Sequence, residues 1–140
     1  MIVVDTNVLS EAMRDRPEPR VAAWLGQQLN SETFTTSITK AEILYGIEIA
    51  PRGLRRTELM AAAGRILSAM AGRILAFDGE AAVHYAAIAS IRRSGGREMQ
   101  EADAQIAAIT RLHNATLATR NTRDFEDCGI RLVNPWEYTE

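Results

Sequence analysis

Short runs rich in β formers recur along this chain, separated by longer stretches with helical spacing. The runs are Ile2-Val3-Val4, Thr33-Phe34-Thr35-Thr36, Ile74-Leu75-Ala76-Phe77, Thr116-Leu117-Ala118-Thr119 and Arg131-Leu132-Val133. Parallel strands need a crossover of about a dozen residues or more, usually a helix. Strand and helix in alternation therefore predict an α/β fold: a mainly parallel five-stranded sheet with helices on both faces. The first run stops at Asp5-Thr6-Asn7, which puts a carboxylate at the C-terminal end of a buried parallel strand. In open α/β sheets that edge is where ligands and catalytic groups collect.

The helical stretches have readable limits. Asn7 can cap a helix holding Val8, Leu9 and Ala12, and Pro19 suits the first turn of the next, with Val21, Trp24, Leu25 and Leu29 on one side. Thr39 opens a helix to about Ala50, and a long helix covers roughly Leu54 to Met70. Residues 79–93 are helical, with Ala82, Val83, Ala86, Ile88 and Ala89 as the apolar side, and a last helix runs from about Glu101 to His113.

With 140 residues, 46% of them hydrophobic, the chain suits one domain over 1–140 with its own core. A net charge of -2 excludes a global basic field for nucleic acid, though not a local patch. Cys128 is the only cysteine, which rules out an internal disulfide and suits a reducing compartment. No run approaches the roughly 18 apolar residues of a membrane span. A soluble, cytoplasmic protein with no membrane association is expected.

Four acids stand at telling places, and each has a purely structural explanation. Asp5 could cap the helix that follows it. Glu42, three residues after Thr39, completes a capping box. Gly46 lies one turn further on the same face, and a glycine inside a helix costs about 1 kcal/mol relative to alanine. A groove that must admit something bulky, or close helix packing, would account for it. Asp103 lies in a first helical turn, where the dipole favours a carboxylate. Asp124 follows the fourth strand, three residues after Asn121, so that one helical turn sets both on one side.

Together the acids are harder to explain away, because three of the four lie just after a strand or at a helix start on the same sheet edge. Converging carboxylates repel one another and hold their protons. A hard divalent cation relieves that conflict: Mg²⁺ takes oxygen ligands, keeps several waters and bridges to phosphate. It also supports hydrolysis of a phosphodiester without a Ser, Cys or His nucleophile.

The residues that carry these features also carry a family resemblance. Asp5-Thr6-Asn7, Thr39 to Glu42 with Gly46, Ala102-Asp103-Ala104-Gln105-Ile106-Ala107-Ala108, and Leu117 to Phe125 resemble the PIN domain of VapC-type ribonuclease toxins. Residues 71–78 and Asn134-Pro135-Trp136 look closest to the FitB-like branch. The resemblance implies the toxin of a type II toxin–antitoxin pair, a metal-dependent endoribonuclease using Mg²⁺ or Mn²⁺ on an RNA substrate. It implies a small cognate antitoxin, operator DNA bound only through that antitoxin, and a homodimer. Carried over by motif, Asp5 and Asp103 are the metal ligands, Glu42 orients the attacking water, and Asp124 is the fourth acid. Thr6, Asn7, Thr119 and Asn121 support the metal or phosphate. Many PIN domains have Asp where this chain has Asn121, so Asp124 stands as the replacement. The alternative function is a PIN-like partner that acts mainly in an operator-bound repressor complex, its nuclease activity vestigial.

Arg120 and Arg123, flanking Asn121, are candidates for RNA phosphate contacts. Arg92, Arg93 and Arg97 read as a solvated helix end, with Arg97 able to approach the groove mouth. His84 and His113 have no second ligand at metal spacing, and Trp24 and Trp136 read as packing groups.

Overall fold

The computed structural model describes residues 1–140. Its five strands are β1 (Ile2–Val4), β2 (Thr33–Thr36), β3 (Ile74–Leu75), β4 (Thr116–Ala118) and β5 (Arg131–Val133). They form one sheet in the order β3-β2-β1-β4-β5, every pairing parallel. Six helices supply the crossovers: α1 (Thr6–Ala12), α2 (Pro19–Gln27), α3 (Ser37–Ile49), α4 (Leu54–Ala69), α5 (Gly79–Ser94) and α6 (Glu101–Leu112). The third strand is shorter than the sequence suggests, ending at Leu75 rather than Phe77.

The period of two along each strand divides the core. Val4 and Ala118 face a cluster with Val8, Leu9, Trp24, Ile43 and Ile47, drawn from α1, α2 and α3. Val3 and Leu117 face the opposite cluster, with Ile88, Ile106, Ala107 and Phe125. Helices thus cover both faces, and the central strands bury Val3, Val4, Leu117 and Ala118 between them.

Strand order reverses between β1 and β4: the chain builds outward from β1 to β2 and β3, then returns to β4 on the other side. Helices leaving these adjacent strands diverge, so a crevice opens at their carboxyl ends. Asp5 and Thr119, the residues that follow β1 and β4, stand at that crevice.

Two helix starts and two apolar faces differ from the sequence reading, and a third cap is now visible. Asp5, not Asn7, caps α1, accepting from the Thr6 amide at 2.8 Å. Helix α3 begins two residues early, because the Thr36 hydroxyl accepts from the Thr39 amide at 3.1 Å. Asp78 caps α5 by accepting from the Ala81 amide at 2.9 Å. The buried face of α5 is Ala81, Ile88 and Arg92, whereas Val83 is 70% exposed. Leu29, also 70% exposed, lies beyond the end of α2 and takes no part in its apolar side. No helix is long and apolar enough to cross a membrane.

Candidate active site

Asp5 is fixed before any ligand arrives. It is 5% exposed, and its two oxygens accept from the Thr6 amide at 2.8 Å and the Thr119 hydroxyl at 2.8 Å. Asn7 ties the same corner together: its side-chain amide reaches Thr119 Oγ1 at 3.3 Å, and its carbonyl accepts from the Arg120 amide at 3.2 Å. The Thr119 hydroxyl in turn accepts from the Asn121 amide at 3.1 Å. One connected network therefore spans the ends of both central strands.

Glu42 is not part of a capping box. Because Thr36 takes the cap of α3, the Glu42 carboxylate is free to turn across to α1, where Thr6 Oγ1 donates to it at 2.7 Å. The same hydroxyl lies 3.1 Å from that of Thr39. The Gly46 question is settled by space: a Cβ there would meet nothing within 4 Å, so close helix packing is not the reason for glycine. Gly46 instead lines a groove of about 870 Å³ with Thr6, Glu42, Met13, Leu59 and Arg65.

Asp103 projects from the first turn of α6 and is half-buried. Burial pushes its carboxyl up, and Asp5, Asp124 and Glu42 push it further, against a smaller opposing pull from Arg92, to about 6. Asp5 is also raised, chiefly by burial, although its bonds to Thr119 and Thr6 pull the other way. Thr6 joins two of the acids directly, its amide donating to Asp5 and its hydroxyl to Glu42. The four acids reach the crevice from four separate segments: the end of β1, α3, the start of α6, and a 3₁₀ turn at Thr122–Phe125.

The Asn121/Asp124 corner is built by that turn. The Asp124 amide donates to the Asn121 carbonyl at 3.0 Å, and Phe125, 1% exposed, anchors the turn in the core. Asn121 contributes backbone groups to the network and leaves its side chain exposed. Arg120 and Arg123 are both exposed; the Arg120 guanidinium sits 5.1 Å from the centre of a Trp136 ring. Arg97 does not reach for the groove. Its guanidinium is ion-paired with Glu126 and Asp127, each at 3.1 Å.

Arg92 is the residue that sequence reading misplaced. It is 6% exposed rather than solvated, and donates to the carbonyls of Arg97, Asp124 and Glu126 at 2.7, 3.1 and 2.6 Å. The signal was its spacing: Ala81, Tyr85, Ile88 and Arg92 continue one inward helical face.

The donor set suits a hard divalent cation, since it offers only oxygen and its members repel one another without a counter-charge. No three acidic, His or Cys side chains close into a cage.

A parallel sheet with an acidic crevice at its switch point defines the class, an α/β protein with carboxylates gathered at the carboxyl ends of its central strands. The chain belongs to the PIN-domain family, whose sequence profile matches residues 2–130. It is 39% identical over 138 residues to a VapC ribonuclease of Sinorhizobium fredii, covering 98% of this chain and 99% of that protein. It is 39% identical over 137 residues to toxin FitB of Neisseria gonorrhoeae, covering 97% and 99%. The crystal structure of FitAcB from Neisseria gonorrhoeae superposes with a TM-score of 0.91 at 38% identity, covering 99% of this chain and 100% of that one. A structure of FitAB bound to a DNA fragment gives a TM-score of 0.92 at 38% identity, with 100% and 99% covered.

Proposed function

We infer that this chain is the toxin of a toxin–antitoxin pair, an endoribonuclease that hydrolyses RNA phosphodiester bonds with a divalent cation, Mg²⁺ or Mn²⁺. The observation that carries this reading is the convergence of Asp5, Glu42, Asp103 and Asp124 at the crevice, where Thr6 donates to both Asp5 and Glu42. Kinship with a VapC ribonuclease and with toxin FitB supports the same activity and the same biological role.

Asp5 and Asp103 would hold the ion, with Asp124 completing the negative shell. When bound, the ion supplies positive charge to the phosphoryl group and lowers the pKa of water. The chain's own part is to orient and to hold charge. Thr119 and the Thr6 amide fix the Asp5 carboxylate, so little reorganisation is needed when an ion arrives. Glu42, steadied by Thr6, is placed to orient the attacking water and accept its proton. Asn7 and Asn121 stand beside the path of the scissile phosphate. Arg120, braced on Trp136, and Arg123 are free to meet flanking phosphates.

The groove beside Glu42 offers an apolar floor with charged rims. It suits a segment of the antitoxin laid across the site. The FitAB structure is a complex bound to a DNA fragment, and a net charge of -2 gives this chain no global basic field, so operator binding is assigned to the antitoxin.

The test is cleavage of structured RNAs by antitoxin-free protein with Mg²⁺ or Mn²⁺, alongside induction of the toxin in cells. Wild type should cut RNA and arrest growth, while Asp5→Ala and Asp103→Asn should do neither. Uncut RNA together with equal harmlessness of wild type and Asp5→Ala would remove the nuclease reading.

A further inference from the structure

The segment that carries Asp124 is fastened to the rest of the molecule mainly through its carbonyl oxygens. Arg92, in the last turn of α5, donates to the carbonyls of Asp124 and Glu126 at 3.1 and 2.6 Å. Its Nε donates to the Arg97 carbonyl at 2.7 Å, which fixes the turn after α5. Arg97 then reaches the same segment from outside, donating to the Arg123 carbonyl at 3.2 Å and pairing with Glu126 and Asp127. Three carbonyls between residues 123 and 126 are thus held by two guanidinium groups, and the first of these also holds the main chain of the residue that carries the second.

A buried guanidinium is costly unless its donors are satisfied and its charge is answered. Arg92 forms no ion pair with any carboxylate, although it is 6% exposed. The carbonyl dipoles of Arg97, Asp124 and Glu126 face it directly. A neutral apolar side chain here would leave the carbonyls of Arg97, Asp124 and Glu126 without these donors. The planar fork of the arginine reaches several acceptors at once, which a lysine could not do.

We propose that Arg92 is the positioning residue for the fourth acid, clamping residues 123–126 by their carbonyls so that Asp124 stays at the sheet edge. Arg97 is the outer half of the clamp. This rests on the reading of Asp124 as a member of the proposed site.

The test combines RNA-cleavage kinetics at saturating Mg²⁺ with amide hydrogen exchange on the metal-free protein. Arg92→Gln should lower kcat roughly ten- to a hundredfold, as loss of an outer-shell partner typically does, with KM within about threefold of wild type. Exchange should quicken at the Asp124 and Glu126 amides while β1 and α6 keep their protection. Arg92→Gln combined with Asp124→Asn should be no slower than Asp124→Asn alone, because the arginine acts through that acid. Should Arg92→Gln not fold, Arg97→Gln carries the same test from the surface, and unchanged kcat and exchange there overturn the clamp. Wild-type kcat in Arg92→Gln beside an impaired Asp124→Asn also overturns it, as do losses that multiply in the double variant. An Asp124→Asn protein as active as wild type instead removes Asp124 from the proposed site, and the clamp loses its role with it.

Discussion

Replacing Asp103 with asparagine should stabilise the metal-free protein, an unusual outcome for a change at an active site. The Asp103 carboxyl is raised from its ordinary 3.8 to about 6, and no protein donor contributes to the shift, so the substitution forfeits no hydrogen bond. At about 1.36 kcal/mol per pH unit, a displacement of roughly two units sets a ceiling near 3 kcal/mol. Solvent screening of a half-buried group lowers the expected effect to about 1–2 kcal/mol. The direction follows from proton uptake. The folded state holds this proton more tightly than the unfolded state, so the stability it contributes is intact below about pH 4 and lost as pH rises through about 6. Asparagine carries no charge at any pH. Urea unfolding in EDTA should therefore find Asp103→Asn more stable at pH 7.5, with the gap closing by about pH 4. With Asp103 a ligand as proposed, adding Mg²⁺ should reverse the order, since an ion at a hundred times its Kd stabilises wild type by about 2.7 kcal/mol. A variant less stable than wild type at pH 7.5 in EDTA, or a gap indifferent to pH, would refute the argument.

Gly46→Ala should raise stability by up to about 1 kcal/mol, because the added methyl meets no neighbour and the helix gains propensity; a thermal melt measures it. Gly46→Trp should fill the groove and weaken antitoxin binding, read by calorimetry, while the same melt reports an intact fold. Phe125→Ala should cost about 3–5 kcal/mol, since the ring is 1% exposed and anchors the turn behind Asp124; denaturant titration would record the loss. Cys128 is buried and its thiol is pushed up, chiefly by burial, so a thiol reagent should label it slowly in native protein and quickly in urea.

Much of this architecture is legible in the sequence because it is written locally. The β-branched runs, the caps and the proline breaks mark strands and helix ends without reference to distant partners. Asp5 could be placed at a strand end from Ile2-Val3-Val4 alone, and Asp103 in a first helical turn. What stays hidden depends on contacts across the sheet. The Thr39-to-Glu42 spacing reads as a capping box, yet Thr36 takes the cap and Thr6, 36 residues away in sequence, takes the glutamate. The inward face of α5 is obscured because Val83 is apolar and exposed while Arg92 is charged and buried. Composition favours the wrong residue at both places, and only the periodicity of the face corrects it.

The oldest and newest parts of the chain meet in its central strands. Asp5 leaves the first strand, yet the hydroxyl that orients it belongs to Thr119, 114 residues later. The sheet cannot flank β1 on both sides until β4 has been made. During synthesis, at roughly 5–20 residues per second, all but the last stretch must emerge before the four acids can assemble. A chain broken off earlier carries an incomplete pocket. The order of the strands thus delays the hazard to the end of translation, and an antitoxin has that whole interval in which to be waiting.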